Sequence, residues 1–328
     1  MLGSFQLTIG QDIHFSQFFA APQNLNPALT GLMDADYRIA ANHKNQWRTI
    51  PVPYRTYSIS ADTKLPLHLK KDVFGAGILF NTDKAGDGGF ATNQLALSLS
   101  FIKKLNADSS AFLSIAVQPS FIAKSFDPNK LSFNNQFNDG SYNPALSSGE
   151  NYSRTQFSYF DFNSGIQYQQ KLRNKGKLSM GFCYAHLLQN KLSYFSDNST
   201  ISHFKYVFNA LVEIAAADNF NLIPSAMYQQ QYNNQELIAG VHGKFILDQS
   251  MRHYRAFWIG ALLRKNDALI VNALLDYNQL RFGISYDINT SELRNASNGL
   301  GGVELSLVYA MRRLSKIEKN KIICPVFL

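Results

Sequence analysis

From Gln94 to Phe101 large apolar residues alternate with polar or small ones: Leu95, Leu97, Leu99 and Phe101 fall on one side, Gln94, Ala96, Ser98 and Ser100 on the other. Successive side chains of an extended chain point to opposite faces, so this is a strand with one apolar and one polar surface. The alternation returns in Val303, Leu305, Leu307 and Tyr309 against Glu304 and Ser306, and in Phe282, Ile284, Tyr286 and Ile288 against Arg281, Ser285 and Asp287. Followed along the chain, it predicts strands at Tyr37–Gln46, Tyr54–Asp62, Asp72–Thr82, Phe90–Leu105, Ser110–Phe126, Tyr159–Leu172 and Lys177–Asn190. The rest fall at Lys205–Ala217, Phe220–Gln231, Gln235–Leu247, Tyr254–Arg264, Ala268–Tyr277, Leu280–Asn289 and Gly301–Arg312. Many strands of about ten residues, apolar on one face and joined by turns, are the signature of a transmembrane β-barrel, and an even count is the bacterial rule. The expected fold is therefore all-β: an antiparallel outer-membrane-type barrel of about 14 strands.

Alternation between membrane faces orders the connections. Even-numbered ones, such as Asn106–Ser109, Arg173–Gly176, Asp218–Asn219 and Asn278–Gln279, are short, and the two longest, Asp127–Ser158 and Lys191–Phe204, are odd-numbered. Short periplasmic turns and longer outer loops produce that asymmetry, although brief loops around Asn233 and Asn266 interrupt it.

Composition narrows the reading without deciding it. A hydrophobic content of 45% suits either a soluble protein or a barrel with a polar interior, but 16 Tyr and 25 Phe gathered near segment ends suit interfacial girdles. No run of 18 or more apolar residues occurs, which excludes a helical span. Neither a linker nor a composition shift divides the 328 residues. The net charge of +8 comes from Lys and Arg that fall mainly between the strands, as in Lys103–Lys104 and Arg312–Arg313. They form no basic stripe interleaved with stacking aromatics, so nucleic acid is not an expected partner and the outer-membrane lipid is.

Chemistry-bearing constellations are sparse. The seven histidines show no metal-ligand spacing and no nucleophile motif, so no catalytic, metal or cofactor residue is expected. Asp83-Lys84-Ala85-Gly86-Asp87-Gly88-Gly89 lacks the ligand series of a calcium loop and reads as a hairpin turn. Gly75 and Gly77 lie inside a strand pattern, where close backbone approach or bending is the expected reason. Cys183 and Cys324 give no disulfide framework, and their pairing stays open.

The expected organisation is a signal-peptide remnant at 1–10, an N-terminal plug or partner-binding segment at 11–36, the barrel at 37–312 and a tail at 313–328. Within 11–36, Phe15, Phe18, Phe19, Asn26 and Pro27 are candidate contact residues, because a segment outside the wall either fills the lumen or meets a partner. The long loop offers Phe133, Phe137, Tyr142 and Tyr152 as aromatic anchors among Asn, Ser and Gly.

Several motifs resemble one family. Phe15-Ser16-Gln17-Phe18, Asn26-Pro27-Ala28-Leu29-Thr30-Gly31, Asn45-Gln46-Trp47 and Tyr57-Ser58-Ile59-Ser60-Ala61-Asp62 are similar to the opening of the PorP/SprF family, outer-membrane proteins of the type IX secretion system in Bacteroidota. The resemblance continues through Asp83-Lys84-Ala85-Gly86, Tyr286-Asp287-Ile288-Asn289, Ala296-Ser297-Asn298-Gly299 and Gly302-Val303-Glu304-Leu305-Ser306-Leu307, and closes at Cys324-Pro325-Val326-Phe327. It departs in a truncated signal segment and a Leu328 after the usual terminal Phe. The resemblance implies a non-enzymatic role in export or surface attachment of proteins, including gliding adhesins. Its implied partners are secretion or gliding-motor components and the C-terminal domain of a cargo. Two other classes compete with it. A passive channel for small or hydrophobic solutes fits a barrel of this size, and a hydrolase needs a lipid-facing Ser/His pair that the sequence does not show.

Overall fold

The computed structural model describes residues 12–46, 54–69, 72–138, 140–173, 176–195, 200–250, 253–291 and 300–312. Fourteen strands close into one antiparallel barrel. In chain order they are β1 Tyr37–Gln46, β2 Tyr54–Leu69, β3 Asp72–Ala85, β4 Phe90–Lys104, β5 Ala111–Ser125, β8 Gln156–Lys171 and β9 Lys177–Ala185, with β6 Phe137–Asn138 and β7 Ser141–Tyr142 forming a separate small hairpin between β5 and β8. The wall continues with β10 Lys205–Ala217, β11 Phe220–Gln231, β12 Asn234–Gln249, β13 Tyr254–Arg264, β14 Ala268–Tyr277, β15 Leu280–Asn289 and β16 Leu300–Met311. The last strand pairs with the first from Tyr37↔Met311 to Gln46↔Gly302, so the barrel has no free edge there.

The alternation assigns the faces as the sequence implies. Leu95, Leu97 and Leu99 of β4 stand exposed on the outside, whereas Ala96, Ser98 and Ser100 are buried within. In a bilayer that outer band meets lipid. Long connections gather at one end, which is the outer mouth; the short turns lie at the other, together with the start of β1 and the end of β16.

Four differences from the sequence pattern have physical reasons. Strand β2 runs on to Leu69 past Asp62, and β8 begins at Gln156, because neighbours β3 and β5 extend the ladder where the alternation lapses. Strand β9 stops at Ala185 instead of Asn190, since His186 turns the chain with φ 61°. The hairpin β6–β7 inside the long loop is too short for any periodicity to reveal. Most telling, cations do not keep to the turns: Arg38, Lys44, Lys244, Arg264 and Arg281 point from strands into the interior. There Arg38 pairs with Asp62 at 2.7 Å, Lys244 with Glu213 at 3.3 Å and Arg281 with Asp276 at 2.6 Å. Arg264 joins Glu236, Asp267 and Asp287 at 2.8, 3.1 and 2.9 Å. Charges removed from water are costly unless paired, and these partners come from the adjacent strand or turn or, for Glu213 and Asp287, from the strand beyond it.

The signal remnant at 1–10, the tail at 313–328 and the Cys183–Cys324 pairing fall outside the described residues. Of the stretch Asp83 to Gly89, Asp83–Ala85 end β3 and Gly86–Gly89 make the β3–β4 turn, with Gly86 at φ 69° and Gly89 at φ 58°.

Candidate functional site

The segment before β1 folds back into the barrel and rises from the periplasmic end toward the outer mouth. It is a chain of tight turns: Phe18–Ala20 and Pro27–Leu29 are single 3-10 turns, and Pro22–Leu25 is one turn of α-helix. Proline at the first position of two of them presets φ, and the Asn26 side chain caps the last by accepting from Ala28 N–H at 2.9 Å.

Amide and carboxylate side chains bond this plug to the wall on nearly every side. Glu304 of β16 accepts from the Ser16 and Gln17 N–H groups at 2.7 and 2.9 Å, and Asp62 of β2 accepts from Gly31 N–H at 2.7 Å. Asn26 donates to the Ile166 carbonyl of β8 at 3.0 Å, and Gln23 donates to the Ala61 carbonyl at 3.1 Å while accepting from Ser98 of β4. Alongside these bonds Phe18, Leu25, Leu29 and Leu32 pack against Ile102, Val207, Met227, Ile238, Leu262 and Ile270 of the wall. Phe19 meets the His242 ring edge-on, with centroids 5.0 Å apart. The glycines of β3 make room: a Cβ on Gly75 would lie 2.6 Å from the Thr30 carbonyl oxygen, and one on Gly77 would lie 2.7 Å from Gln23 Nε2. Close backbone approach is thus their role.

At the outer end the plug is held by charge. His186, just past β9, donates from Nε2 to Asp12 Oδ2 at 2.5 Å and from Nδ1 to Asp161 of β8. Burial works against the imidazolium, but the two carboxylates dominate and raise its pKa to about 9. Burial likewise works against the Asp12 carboxylate, yet His186 and Lys205 hold its pKa well below the usual range. His14 goes the other way, lowered to about 4 by burial and the Lys44 charge.

Above the plug lies a polar vestibule of about 980 Å³, open toward the loops, with Gln23, Asn24 and Pro27 of the plug in its lining. The connection from β5 to β8 stands beside it, tethered at its base. Phe126 stacks on Phe90 with centroids 5.0 Å apart and meets Tyr152 and Tyr194 edge-on at 4.9 and 4.6 Å. Arg154 donates to the Ser193 carbonyl at 2.9 Å and lies over the Phe157 ring. Burial raises the pKa values of Tyr152 and Tyr194. Beyond this base the β6–β7 hairpin projects Phe137 and Tyr142, 52% and 43% exposed, as a ring pair 5.5 Å apart.

The nine sequence candidates therefore divide in two. Phe15, Phe18, Phe19, Asn26 and Pro27 are all inside the lumen, packed or hydrogen-bonded to the wall. Of the loop residues, Tyr152 belongs to the tether, Phe133 is half-buried, and Phe137 and Tyr142 are presented to the outside. The sequence reading missed Gln17 and Gln23, whose amides hold the plug, and His186, which anchors its end. The signal for the amides was there in four Asn or Gln residues between Gln17 and Asn26, too many for a merely apolar plug.

A closed fourteen-strand barrel with an apolar outer band, a filled lumen and long loops at one mouth is an outer-membrane barrel. Residues 7–309 match the model of the type IX secretion system membrane protein PorP/SprF, and the chain belongs to that family. Among solved structures it is similar to the Ralstonia pickettii toluene transporter TbuX, at 10% identity and TM-score 0.51 over 89% of this chain and 93% of that one. A Pseudomonas aeruginosa FadL homologue aligns at 10% identity and TM-score 0.49 over 88% of this chain and 93% of that one. These likenesses concern the fold. A comparison with curated proteins gives no match.

Proposed function

We propose that this barrel supports export or cell-surface retention of secreted proteins, gliding adhesins among them, by holding the C-terminal domain of a cargo at its outer loops. The observation that carries the reading is the β5–β8 connection: its base is fixed by the aromatic tether while Phe137 and Tyr142 stay exposed at its tip. Exposed aromatics on a pre-positioned loop are efficient anchors, because little ordering entropy is lost on contact. Membership of a secretion family supports the cargo class. The packed plug at mid-height argues against a passive channel, since wall and plug side chains interlock there. Secretion or motor components would approach the opposite end, where the short turns lie. No reaction is required.

The test removes Asn129–Glu150 while keeping the tether, and compares barrel abundance with cargo displayed on intact cells. The reading predicts normal barrel and lost display; abundant barrel with undiminished display refutes it.

A further inference from the structure

Four lysines line the vestibule: Lys265 at the exposed β13–β14 turn, and Lys44 of β1, Lys124 of β5 and Lys205 of β10 from three separate strands of the wall. Deeper in the lumen each cation has a carboxylate of its own, but these three do not. Lys44, only 3% exposed, donates to the His14 carbonyl at 3.2 Å and has no carboxylate at ion-pairing distance among the described residues. The Lys124 ammonium has neither hydrogen bond nor ion pair among the described residues. Lys205 approaches Asp12 at 3.6 Å, but that carboxylate already takes the His186 N–H. Of the other carboxylates in the lining, Glu236 and Asp267 belong to Arg264, and Asp83 accepts the Thr56 hydroxyl at 2.6 Å. Carboxylates reach Lys44 and Lys124 only from beyond ion-pairing distance, Asp287, Glu304 and Glu236 for the first and Asp12 and Asp83 for the second. Cations withdrawn from water without a carboxylate of their own are costly, and an anionic ligand relieves that cost. Asn81, also in the lining, has a buried Oδ1 with no donor.

We infer that the vestibule binds an acidic, extended peptide segment entering from the outer mouth, its carboxylates meeting Lys44, Lys124 and Lys205. The inference rests on the reading that a secreted protein is held at this mouth, and it adds the chemistry of the part that enters. A peptide supplies anionic acceptors for the lysines and N–H donors for the amide-lined wall. At about 980 Å³ the vestibule is at the upper end of ligand pockets, enough for a short segment and too small for a folded domain.

The full barrel, purified in detergent, is titrated calorimetrically with a blocked peptide alternating Gly and Glu, about six residues long to fit such a pocket. Its Gly/Gln counterpart and an acidic oligogalacturonate serve as comparisons. The acidic peptide should bind at least about tenfold more tightly than the Gln peptide, an advantage that shrinks as salt screens the charges. Lys124→Gln and Lys205→Gln should each weaken it several-fold with the folded barrel unchanged on heat-modifiability gels. Equal binding of the two peptides, indifference to both lysines, or preference for the oligogalacturonate overturns the inference. The loop-shortened barrel, titrated in parallel, separates the two readings. Failed peptide binding alongside lost display sinks only the vestibule, whereas intact display sinks the loop reading whatever the titration gives.

Discussion

Leu97→Arg places a charge where the alternation says lipid must be. Leu97 lies at the middle of β4, 55% exposed, opposite Ile78 of β3 and between the outward Leu95 and Leu99. An arginine near the bilayer midplane on a barrel wall costs about 2 to 4 kcal/mol. The lumen-facing comparison must avoid the plug: Ser98 is fully buried and bonded to Gln23 and Gln118, so an arginine there would overpack a filled interior. Thr92, three periods of the alternation nearer the outer mouth on the same inner face, lines the vestibule between Asp83 of β3 and Lys124 of β5. Thr92→Arg should therefore cost under about 1 kcal/mol, the range of a solvated charge whose neighbours, the Asp83 carboxylate and the Lys124 ammonium, oppose each other. Reversible urea unfolding in lipid vesicles, followed by tryptophan fluorescence, measures both. Leu97→Arg within about 0.5 kcal/mol of the parent, or Thr92→Arg as damaging as Leu97→Arg, would refute the assignment of faces.

Gly75→Ala drives a Cβ against the Thr30 backbone oxygen and should destabilise the folded barrel by about 1 to 3 kcal/mol in the same assay; an unchanged midpoint would mean the plug is not seated against β3. The His186 anchor should be pH-dependent. With its pKa raised from 6.5 to about 9, its contribution is complete below 6.5 and is lost as pH rises through about 9; Asp12, shifted down, loses its contribution only on acidification. Hydrogen exchange of residues 13–17 should therefore quicken beyond intrinsic chemistry above about pH 9, and His186→Gln should abolish that transition; indifference of the parent to this range contradicts the anchor. Since the plug ends in the outer vestibule, Ile13→Cys in a chain with Cys183 and Cys324 changed to Ser should react with a membrane-impermeant maleimide on intact cells. A cysteine at Asn278, in a periplasmic turn, should not, and the reverse pattern would invert the barrel.

The wall was legible because lipid on one side and polar contents on the other impose a period of two on every strand. Where that contrast fades, so does the reading: Lys64 to Leu69 does not alternate cleanly yet belongs to β2, and His186 ends β9 through a backbone angle its side chain does not announce. The plug was legible only as a segment left over. Its contacts join Gln17 to Glu304 and Asn26 to Gln167, pairs far apart in sequence that no local pattern encodes. The buried charges show the same limit. Arg264 reads as a turn-proximal cation until the barrel brings Glu236 beside it from the adjacent β12 and Asp287 from β15, across β14.

The cargo-holding role is tested most directly by placing a photo-crosslinking amino acid at Tyr142 in growing cells, with Asn278 as the periplasmic comparison. The account predicts an adduct between the Tyr142 probe and a secreted protein, mapping to the cargo's C-terminal domain and absent from the Asn278 probe. A folded, abundant barrel that yields no such adduct from Tyr142, or yields it from Asn278 instead, would contradict it.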